Sequence, residues 1–277
     1  VEACLDGLLP RGDGLERRLY DAMRYATLGG GKRLRPFLAV ASARALGAPD
    51  GPALRVGAAI EMVHCYSLVH DDLPAMDDDA LRRGRPTCHV AFDEATAILA
   101  GDAMLTLAFQ VLAEPATHPD GNVRAELVVL LARAAGPAGM VGGQMMDIEA
   151  ETRALDEAAV RRLQALKTGA LITAACESGA VVAGAPAAAR AALRGFGEQL
   201  GVAFQVIDDV LDASGSTVKM GKAVGKDAGA GKATLVGVLG LEAARAAAAE
   251  HAARAVARLA GLGQAADPLR AIAEFVV

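Results

Sequence analysis

Apolar positions along the chain recur with the 3.6-residue period of an α-helix. This periodicity predicts helices over residues 56–70, 94–112, 125–135, 158–182, 187–213 and 235–259. Alternating apolar and polar residues bounded by hairpin signals, the pattern of a strand, are not found. Glycine and proline clusters punctuate the helices, and no linker separates two independent cores. We therefore expect residues 1–277 to form a single all-α domain.

The composition supports close packing of helices. Hydrophobic residues make up 53% of the 277 residues and aromatic residues only 3%, with no Trp. A core built from Ala, Leu and Val favours helices over sheets. The most membrane-like stretch, 168–189, contains Glu177 and Pro186. We interpret it as a buried helix and expect no stable membrane association.

The charge and the cysteines narrow the class of protein further. A net charge of -5 argues against nucleic-acid binding, which requires a basic face. The cysteines are scattered without a CxxC pair, which is typical of reduced thiols rather than a disulfide framework. The first residues lack the order of a signal peptide, so we expect a cytoplasmic protein.

Two aspartate clusters are the strongest chemical signal. The first runs from Asp71-Asp72 to Asp77-Asp78-Asp79, and the second is Asp208-Asp209-Val-Leu-Asp212. Each follows an apolar run, where an unpaired carboxylate is costly because it loses its hydration. Asp208 and Asp212 differ by about 40° around a helix and project from one face. A solvated acidic face is the alternative, but the apolar neighbours favour a bound cation, and Mg²⁺ shared with phosphate suits such oxygen ligands.

The first cluster requires a change of backbone direction. Pro74 makes it difficult for a regular helix to continue past Asp72. Asp77 can therefore approach Asp71 only if the intervening residues form a turn or a bulge. An acidic helix end followed by a polar loop is the alternative interpretation. A calcium loop is disfavoured because its D-x-D-x-D-G pattern is missing.

Basic residues recur beside glycines, where the backbone can approach an anion closely. The groups are Lys32, Arg33 and Arg35; Arg82, Arg83 and Arg85; Lys167; and Lys222, Lys226 and Lys232. Any one of them could be an ordinary surface charge. A P-loop is excluded because Ala233 follows Gly231-Lys232. Zinc and di-iron sites are disfavoured, since the histidines and cysteines lack the required spacing.

Taken together, the motifs resemble those of trans-isoprenyl diphosphate synthases, most markedly the bacterial farnesyl diphosphate synthases. The resemblance covers residues 20–260 and rests on five motifs in the order of that family. They are Gly30-Gly31-Lys32-Arg33-Leu34-Arg35-Pro36, His70-Asp71-Asp72 through Arg82-Arg83-Gly84, Gly101-Asp102-Ala103, Lys167-Thr168-Gly169-Ala170-Leu171, and Phe204-Gln205 through Asp212.

The resemblance implies an antiparallel helical bundle around a deep apolar cavity, usually as a homodimer. It implies Mg²⁺-dependent, head-to-tail condensation of isopentenyl diphosphate with dimethylallyl or geranyl diphosphate, giving farnesyl diphosphate. Geranyl and geranylgeranyl diphosphate remain alternative products. A terpene cyclase would normally carry a different second metal motif, and a non-catalytic partner subunit would typically lose one aspartate motif.

The resemblance also implies a role for individual residues. It implies three Mg²⁺ ions on the bound diphosphate, two at Asp71 and Asp77 with help from Asp72, and one at Asp208 supported by Asp212. It implies binding of the allylic diphosphate by Arg82, Lys167, Lys222 and Lys232. It implies binding of isopentenyl diphosphate by Lys32, Arg35, His64 and Arg83. Thr168 and Gln205 would line the region where positive charge develops.

Product length and the second half of the site are less closely matched. The resemblance places Tyr66 and Ser67, five and four residues before Asp71, at the cavity floor; ordinary core packing is the alternative for Tyr66. After Lys232 the family usually has x-Thr-Tyr-Pro, whereas this chain has Ala233-Thr234-Leu235-Val236. The glycine-rich stretch 214–232 is predicted to be a mobile flap.

Overall fold

The computed structural model describes residues 1–214 and 234–277, and in these ranges it confirms the all-α prediction. The α-helices are α1 Glu2–Leu8, α2 Arg17–Leu28, α3 Leu34–Ala45, α4 Asp50–Asp71, α5 Cys88–Ala91, α6 Glu94–Ala113, α7 Gly121–Ala135, α8 Met140–Ala150, α9 Glu157–Gln164, α10 Ala170–Val182, α11 Ala187–Ala213, α12 Leu235–Leu239, α13 Leu241–Arg258 and α14 Asp267–Val276. A π-helical turn, Ala165–Gly169, joins α9 to α10, and short 3₁₀ turns cover Ala260–Leu262 and Gln264–Ala266.

The helix boundaries follow the apolar pattern closely. Helix α11 spans the predicted range residue for residue, and α4 begins six residues before its prediction and ends at Asp71. The predicted helix 235–259 is instead two helices separated at Gly240. Gly240 has φ +81°, a left-handed conformation that glycine adopts without strain.

The core forms around α4 and α10. Helix α4 packs against α3 and α6, while α10 packs against α3, α7 and α11, and α11 in turn packs against α13. Ala58 and Ala59 of α4 are fully buried, as are Ile172 and Ala175 of α10. These small and branched side chains allow close approach of neighbouring helices. The alanine-rich composition is thus used in helix-to-helix contacts.

A short hairpin follows the first aspartate cluster, where the sequence pattern predicts no strand. Strands β1 Leu81–Arg82 and β2 Arg85–Pro86 pair antiparallel, with Leu81 opposite Pro86 and Arg82 opposite Arg85. Arg83 and Gly84 have φ +53° and +74°, the conformation that a two-residue type I′ turn requires. The hairpin carries three arginines close to the end of α4.

Several apolar helices leave part of their surface uncovered. By length and composition alone, three helical stretches could cross a membrane: 94–113, 121–150 and 157–182. The most apolar part of 157–182 is 67% buried, and all but two residues of α10 lie in the core, as expected for a buried helix. The corresponding parts of 94–113 and 121–150 are only 39% and 33% buried. Their exposed apolar residues include Ile98, Leu99, Val141 and Met145.

Candidate active site

The first aspartate cluster forms a compact turn at the end of α4. The helix ends at Asp71, three residues before Pro74, as that proline predicts. The backbone then reverses, and the amide of Asp77 donates a hydrogen bond to the carbonyl oxygen of Asp71 at 2.8 Å. Asp78 adopts a left-handed conformation with φ +49°. This turn brings Asp77 back beside Asp71. The sequence predicts that the two aspartates can approach each other only through such a turn.

The carboxylates of this turn differ in their surroundings. Arg82 donates from Nε to both carboxylate oxygens of Asp72, at 2.7 and 2.9 Å, so the charge of buried Asp72 is balanced. The pKa of Asp71 is raised to about 6, mainly by burial; Lys167 and Arg82 oppose the shift, whereas the charges of Asp77 and Asp72 add to it. Asp71 is therefore a crowded carboxylate that a cation would stabilise.

A second group of residues forms a basic pocket. Burial lowers the pKa of His64 well below its usual value, and nearby Arg35 and Arg83 lower it further, so this imidazole is neutral. Nε of Arg35 is buried and has no hydrogen-bond partner. Burial also lowers the pKa of Arg35, which nearby Glu61 partly offsets. Buried cationic donors without acceptors favour a bound anion at this position.

Arg33 has a different role from the basic residues on either side of it. Its guanidinium donates to Glu61 at 2.9 Å, to Glu2 at 2.5 Å and to the carbonyl oxygen of Thr27 at 2.7 Å. Glu61 is only 2% exposed, so this is a buried ion pair. Because Glu61 lies on α4, Arg33 ties the loop that follows Gly29-Gly30-Gly31 to that helix. Lys32 on the same loop is exposed. Nothing in the sequence indicates this difference between adjacent basic residues.

The π-turn carries Lys167 and Thr168. A Cβ atom on Gly143 of α8 would overlap the backbone nitrogen of Lys167, so only glycine allows α8 to pack here. Nζ of Lys167 donates to Asp147 of α8 at 2.5 Å. On the opposite side, a Cβ on Gly201 of α11 would lie 2.8 Å from the Cα of Gly169. Helices α8 and α11 thus pack against the π-turn from two sides. A π-helical turn within an α-helix is frequent at functional sites.

The second aspartate cluster lies beside the π-turn. Oγ1 of Thr168 donates to Oε1 of Gln205 at 2.6 Å, and Nε2 of Gln205 donates to Oδ1 of Asp209 at 3.0 Å. Asp209 and Asp212 are buried and Asp208 is half-buried, so the cluster is not a solvated acidic face. Burial raises the pKa of Asp209 to about 6, while hydrogen bonds from Gln205 and other donors oppose this. Asp209 belongs to the second aspartate cluster in the sequence, but the resemblance implies no role for it.

Helix α12, the first described element after the second cluster, begins with a side-chain cap. Oγ1 of Thr234 accepts a hydrogen bond from the amide of Gly237 at 3.1 Å and so caps α12. Leu235 and Val236 therefore replace the Tyr-Pro of the family pattern without loss of the helix start. Lys222, Lys232 and the predicted flap 214–232 lie, apart from Ser214, outside the described residues.

Tyr66 and Ser67 lie on α4 one turn before Asp71. Tyr66 is buried and contacts the ring of His70 edge-on, with 5.7 Å between the ring centroids. Nε2 of His70 lies 3.1 Å from the carbonyl oxygen of Ile98 on α6. Oγ of Ser67 donates to the carbonyl oxygen of His64 at 2.9 Å. The ring of Tyr66 thus packs against His70, and His70 in turn contacts α6.

The predicted metal residues can be compared with what an ion requires. Within residues 1–214 and 234–277, no three His, Cys, Asp or Glu side chains converge closely enough to bind a metal ion unaided. Mg²⁺ usually takes only one or two carboxylates and completes its shell with water and substrate phosphates. The two acidic clusters fit this type of site, in which a polyanionic ligand contributes the remaining oxygens.

Comparison with known proteins is consistent with this arrangement. Residues 16–265 match the model of the polyprenyl synthetase family. The chain is 45% identical to a farnesyl diphosphate synthase of Escherichia coli strain K12, over 93% of this chain and 88% of that protein. It is 45% identical to a farnesyl diphosphate synthase of Geobacillus stearothermophilus, over 88% of this chain and 82% of that protein. The solved structure of an FPP/GFPP synthase from Zymomonas mobilis superposes with a TM-score of 0.92 at 46% identity, covering 100% of this chain and 95% of that one.

Proposed function

This chain belongs to the polyprenyl synthetase family and is a trans-prenyltransferase, and we propose that it condenses isopentenyl diphosphate with an allylic diphosphate to give farnesyl diphosphate. The proposal rests on one observation: a carboxylate cluster, a lysine and two side-chain oxygens lie at one site. The acidic turn at Asp71 lies within electrostatic range of Lys167, and Thr168 next to it is bonded to Gln205. Carboxylates, a cation and oxygen dipoles are the groups that this reaction requires.

The acidic residues would hold three Mg²⁺ ions on the allylic diphosphate. Asp71 and Asp77, with Asp72 behind them, would hold two, and Asp208 with Asp212 the third. The fit is supported by the crowding that raises the pKa of Asp71, because a bound cation relieves it. When bound, the ions neutralise the charge that accumulates on the departing diphosphate.

The basic residues divide between the two diphosphates. Arg82 and Lys167, together with Lys222 and Lys232, would bind the allylic diphosphate. Lys32, Arg35, His64 and Arg83 would bind isopentenyl diphosphate. The unpartnered Nε of Arg35 supports the second assignment, since a diphosphate oxygen would supply its missing acceptor. Binding at the allylic position stabilises the departing diphosphate more than the intact ester, which lowers the barrier to ionisation. Binding at the second position holds isopentenyl diphosphate where its double bond can attack the cation.

The oxygens of Thr168 and Gln205 would stabilise the allylic cation that ionisation produces, while the apolar surroundings exclude water. The double bond of isopentenyl diphosphate attacks that cation, and the released diphosphate takes the proton. No nucleophilic side chain is needed. Burial raises the pKa of Cys65 to about 12 and that of Cys88 to about 11, so these thiols stay protonated.

Tyr66 and Ser67 would set the product at fifteen carbons. Tyr66 supports this because its ring is buried one turn below Asp71 and fixed against His70. Geranyl or geranylgeranyl diphosphate would be the product if the chain-length determinant lies elsewhere. We further propose a cytoplasmic homodimer without membrane attachment. The uncovered apolar surface of α6 and α8, which includes Leu99 and Met145, supports pairing with a second copy.

The test is an incubation of the purified protein with Mg²⁺, isopentenyl diphosphate and dimethylallyl, geranyl or farnesyl diphosphate, with products resolved by mass. A dominant fifteen-carbon diphosphate is expected, and chelation of Mg²⁺ should abolish it. As a second test, Arg35→Lys should raise the KM for isopentenyl diphosphate far more than the KM for the allylic substrate. Cyclised hydrocarbon, or no product from any starter, would refute the proposal.

A further inference from the structure

Asp209 forms hydrogen bonds with three separate segments of the chain close to Thr168. Asp209 is 5% exposed, and its carboxylate accepts three N–H groups. Nε2 of Gln205 donates to Oδ1 at 3.0 Å, while Nε2 of Gln164 at 2.7 Å and the amide of Leu235 at 3.2 Å donate to Oδ2. These donors are all neutral, and neutral donors compensate the burial of a charge less well than a cation does. The arrangement therefore calls for an explanation other than stability.

The bond from Asp209 fixes which way round the Gln205 amide lies. An ionised carboxylate only accepts hydrogen bonds, so the NH₂ group of Gln205 must face Asp209. Oε1 of Gln205 then faces the opposite way and accepts from the hydroxyl of Thr168 at 2.6 Å. Because the hydroxyl hydrogen of Thr168 is used in that bond, its oxygen lone pairs remain directed elsewhere. Both oxygens are thus available as the negative ends of dipoles.

We propose that Asp209 is a positioning residue for prenyl transfer, which keeps the oxygen ends of Gln205 and Thr168 presented to the developing allylic cation. The inference rests on the proposed function and assigns Asp209 no metal. It differs in this from Asp208 and Asp212, its neighbours on α11. If the amide of Gln205 rotated by 180°, its NH₂ group would replace an oxygen beside a growing positive charge and raise the barrier.

Asp209→Asn tests this orientation directly. The side-chain amide that this change introduces has one acceptor and one donor group, and keeping the acceptor on the Gln164 side turns the new NH₂ group toward Gln205. Gln205 must then rotate to accept. We expect kcat to fall by about 10²-fold, the size of losing one oriented dipole at a charged transition state. Both KM values and the Mg²⁺ concentration for half-maximal rate should change by less than about threefold.

A second substitution should restore the oxygen. In Asp209→Asn/Gln205→Glu, the carboxylate at position 205 accepts from the new amide at position 209 with one oxygen and from Thr168 with the other, so no rotation is needed. The double variant should recover at least about tenfold in kcat over Asp209→Asn alone, a coupling expected only for groups in contact. Recovery of less than about threefold would overturn the proposal, because the loss would then not depend on the orientation of the side chain at position 205.

Two further measurements separate this from other roles. Asp156→Asn changes a carboxylate that caps the start of α9 by accepting from Ala159 at 2.8 Å; it is the control for replacing an aspartate on the helix that leads into the π-turn, and it should leave kcat unchanged. A large rise in the Mg²⁺ requirement of Asp209→Asn would make Asp209 a metal ligand and overturn the inference. An inactive wild-type protein would instead refute the proposed function, whereas an active wild type with an unaffected Asp209→Asn refutes the inference alone.

Discussion

Asp71→Asn should make the metal-free protein more stable while abolishing its activity. Burial and the nearby charges raise the pKa of Asp71 from 3.8 to about 6. Two pKa units correspond to about 3 kcal/mol of penalty on the ionised form at pH 8, when the unfolded chain carries an ordinary aspartate. Relaxation around a partly exposed group reduces this, so we expect a gain of about 1 to 3 kcal/mol in the free energy of unfolding.

The stability difference between Asp71→Asn and the wild type should depend on pH. Because the folded pKa of Asp71 lies above the unfolded one, wild-type protein carries the penalty above pH 6 and loses it as the pH falls toward 4. The advantage of Asp71→Asn should therefore be largest near pH 8 and disappear on acidification. Added Mg²⁺ and diphosphate should reverse the order, because only the wild type gains from binding them.

The assay is urea unfolding in a chelator at several pH values, with the m-value held as a check on two-state behaviour. Asp13→Asn, which changes an exposed aspartate in the loop before α2, is the control and should leave the unfolding free energy unchanged. An Asp71→Asn protein less stable than wild type at pH 8, or an advantage that grows on acidification, would refute the reasoning.

Three further substitutions test other parts of the structure. Tyr66→Ala should lengthen the dominant product beyond fifteen carbons, and an unchanged mass distribution would show that the ring is only core packing. Gly143→Ala should lower stability by about 1 to 3 kcal/mol and lower kcat, because its Cβ would overlap the backbone nitrogen of Lys167; Gly7→Ala, which meets no atom within 4 Å, should do neither. Glu61→Gln should lower the free energy of unfolding by about 1 to 3 kcal/mol in urea, since it removes the buried one of the two carboxylates paired with Arg33 and leaves only the exposed Glu2; a stability close to wild type would contradict the ion-pair geometry.

The sequence predicts the helices well because their information is local. The period of apolar residues gives the bounds of α11, and Pro74 gives the end of α4 at Asp71. The clustering of aspartates also indicates the type of chemistry, since carboxylates next to apolar helices need a cation. These conclusions depend only on residues within a few turns of one another.

What the sequence misses depends on contacts between distant segments. Asp209 receives donors from residues 45 positions before it and 26 positions after it, so its surroundings cannot be inferred from the local pattern. Arg33 and Arg35 look equivalent in the sequence, yet one is committed to Glu61 and the other has a buried Nε without an acceptor. The four-residue spacing from Gln205 to Asp209 was the one local signal that could have suggested their contact.

The π-turn has a consequence for how this enzyme could be altered by deletion. A π-turn contains one residue more than an α-helical turn over the same length, so the segment 165–169 can be viewed as a one-codon insertion in a helix that otherwise runs from Glu157 to Val182. Removing one codon there would restore an uninterrupted helix. Because an α-helical turn spans the same length with one residue fewer, the helical segments on either side would keep their positions, and only the residues within the turn would change direction. The reading frame would be preserved and the helix made regular, yet Lys167 and Thr168 would no longer face Asp147 and Gln205. A gene shortened by three bases should therefore encode a folded protein without a working site.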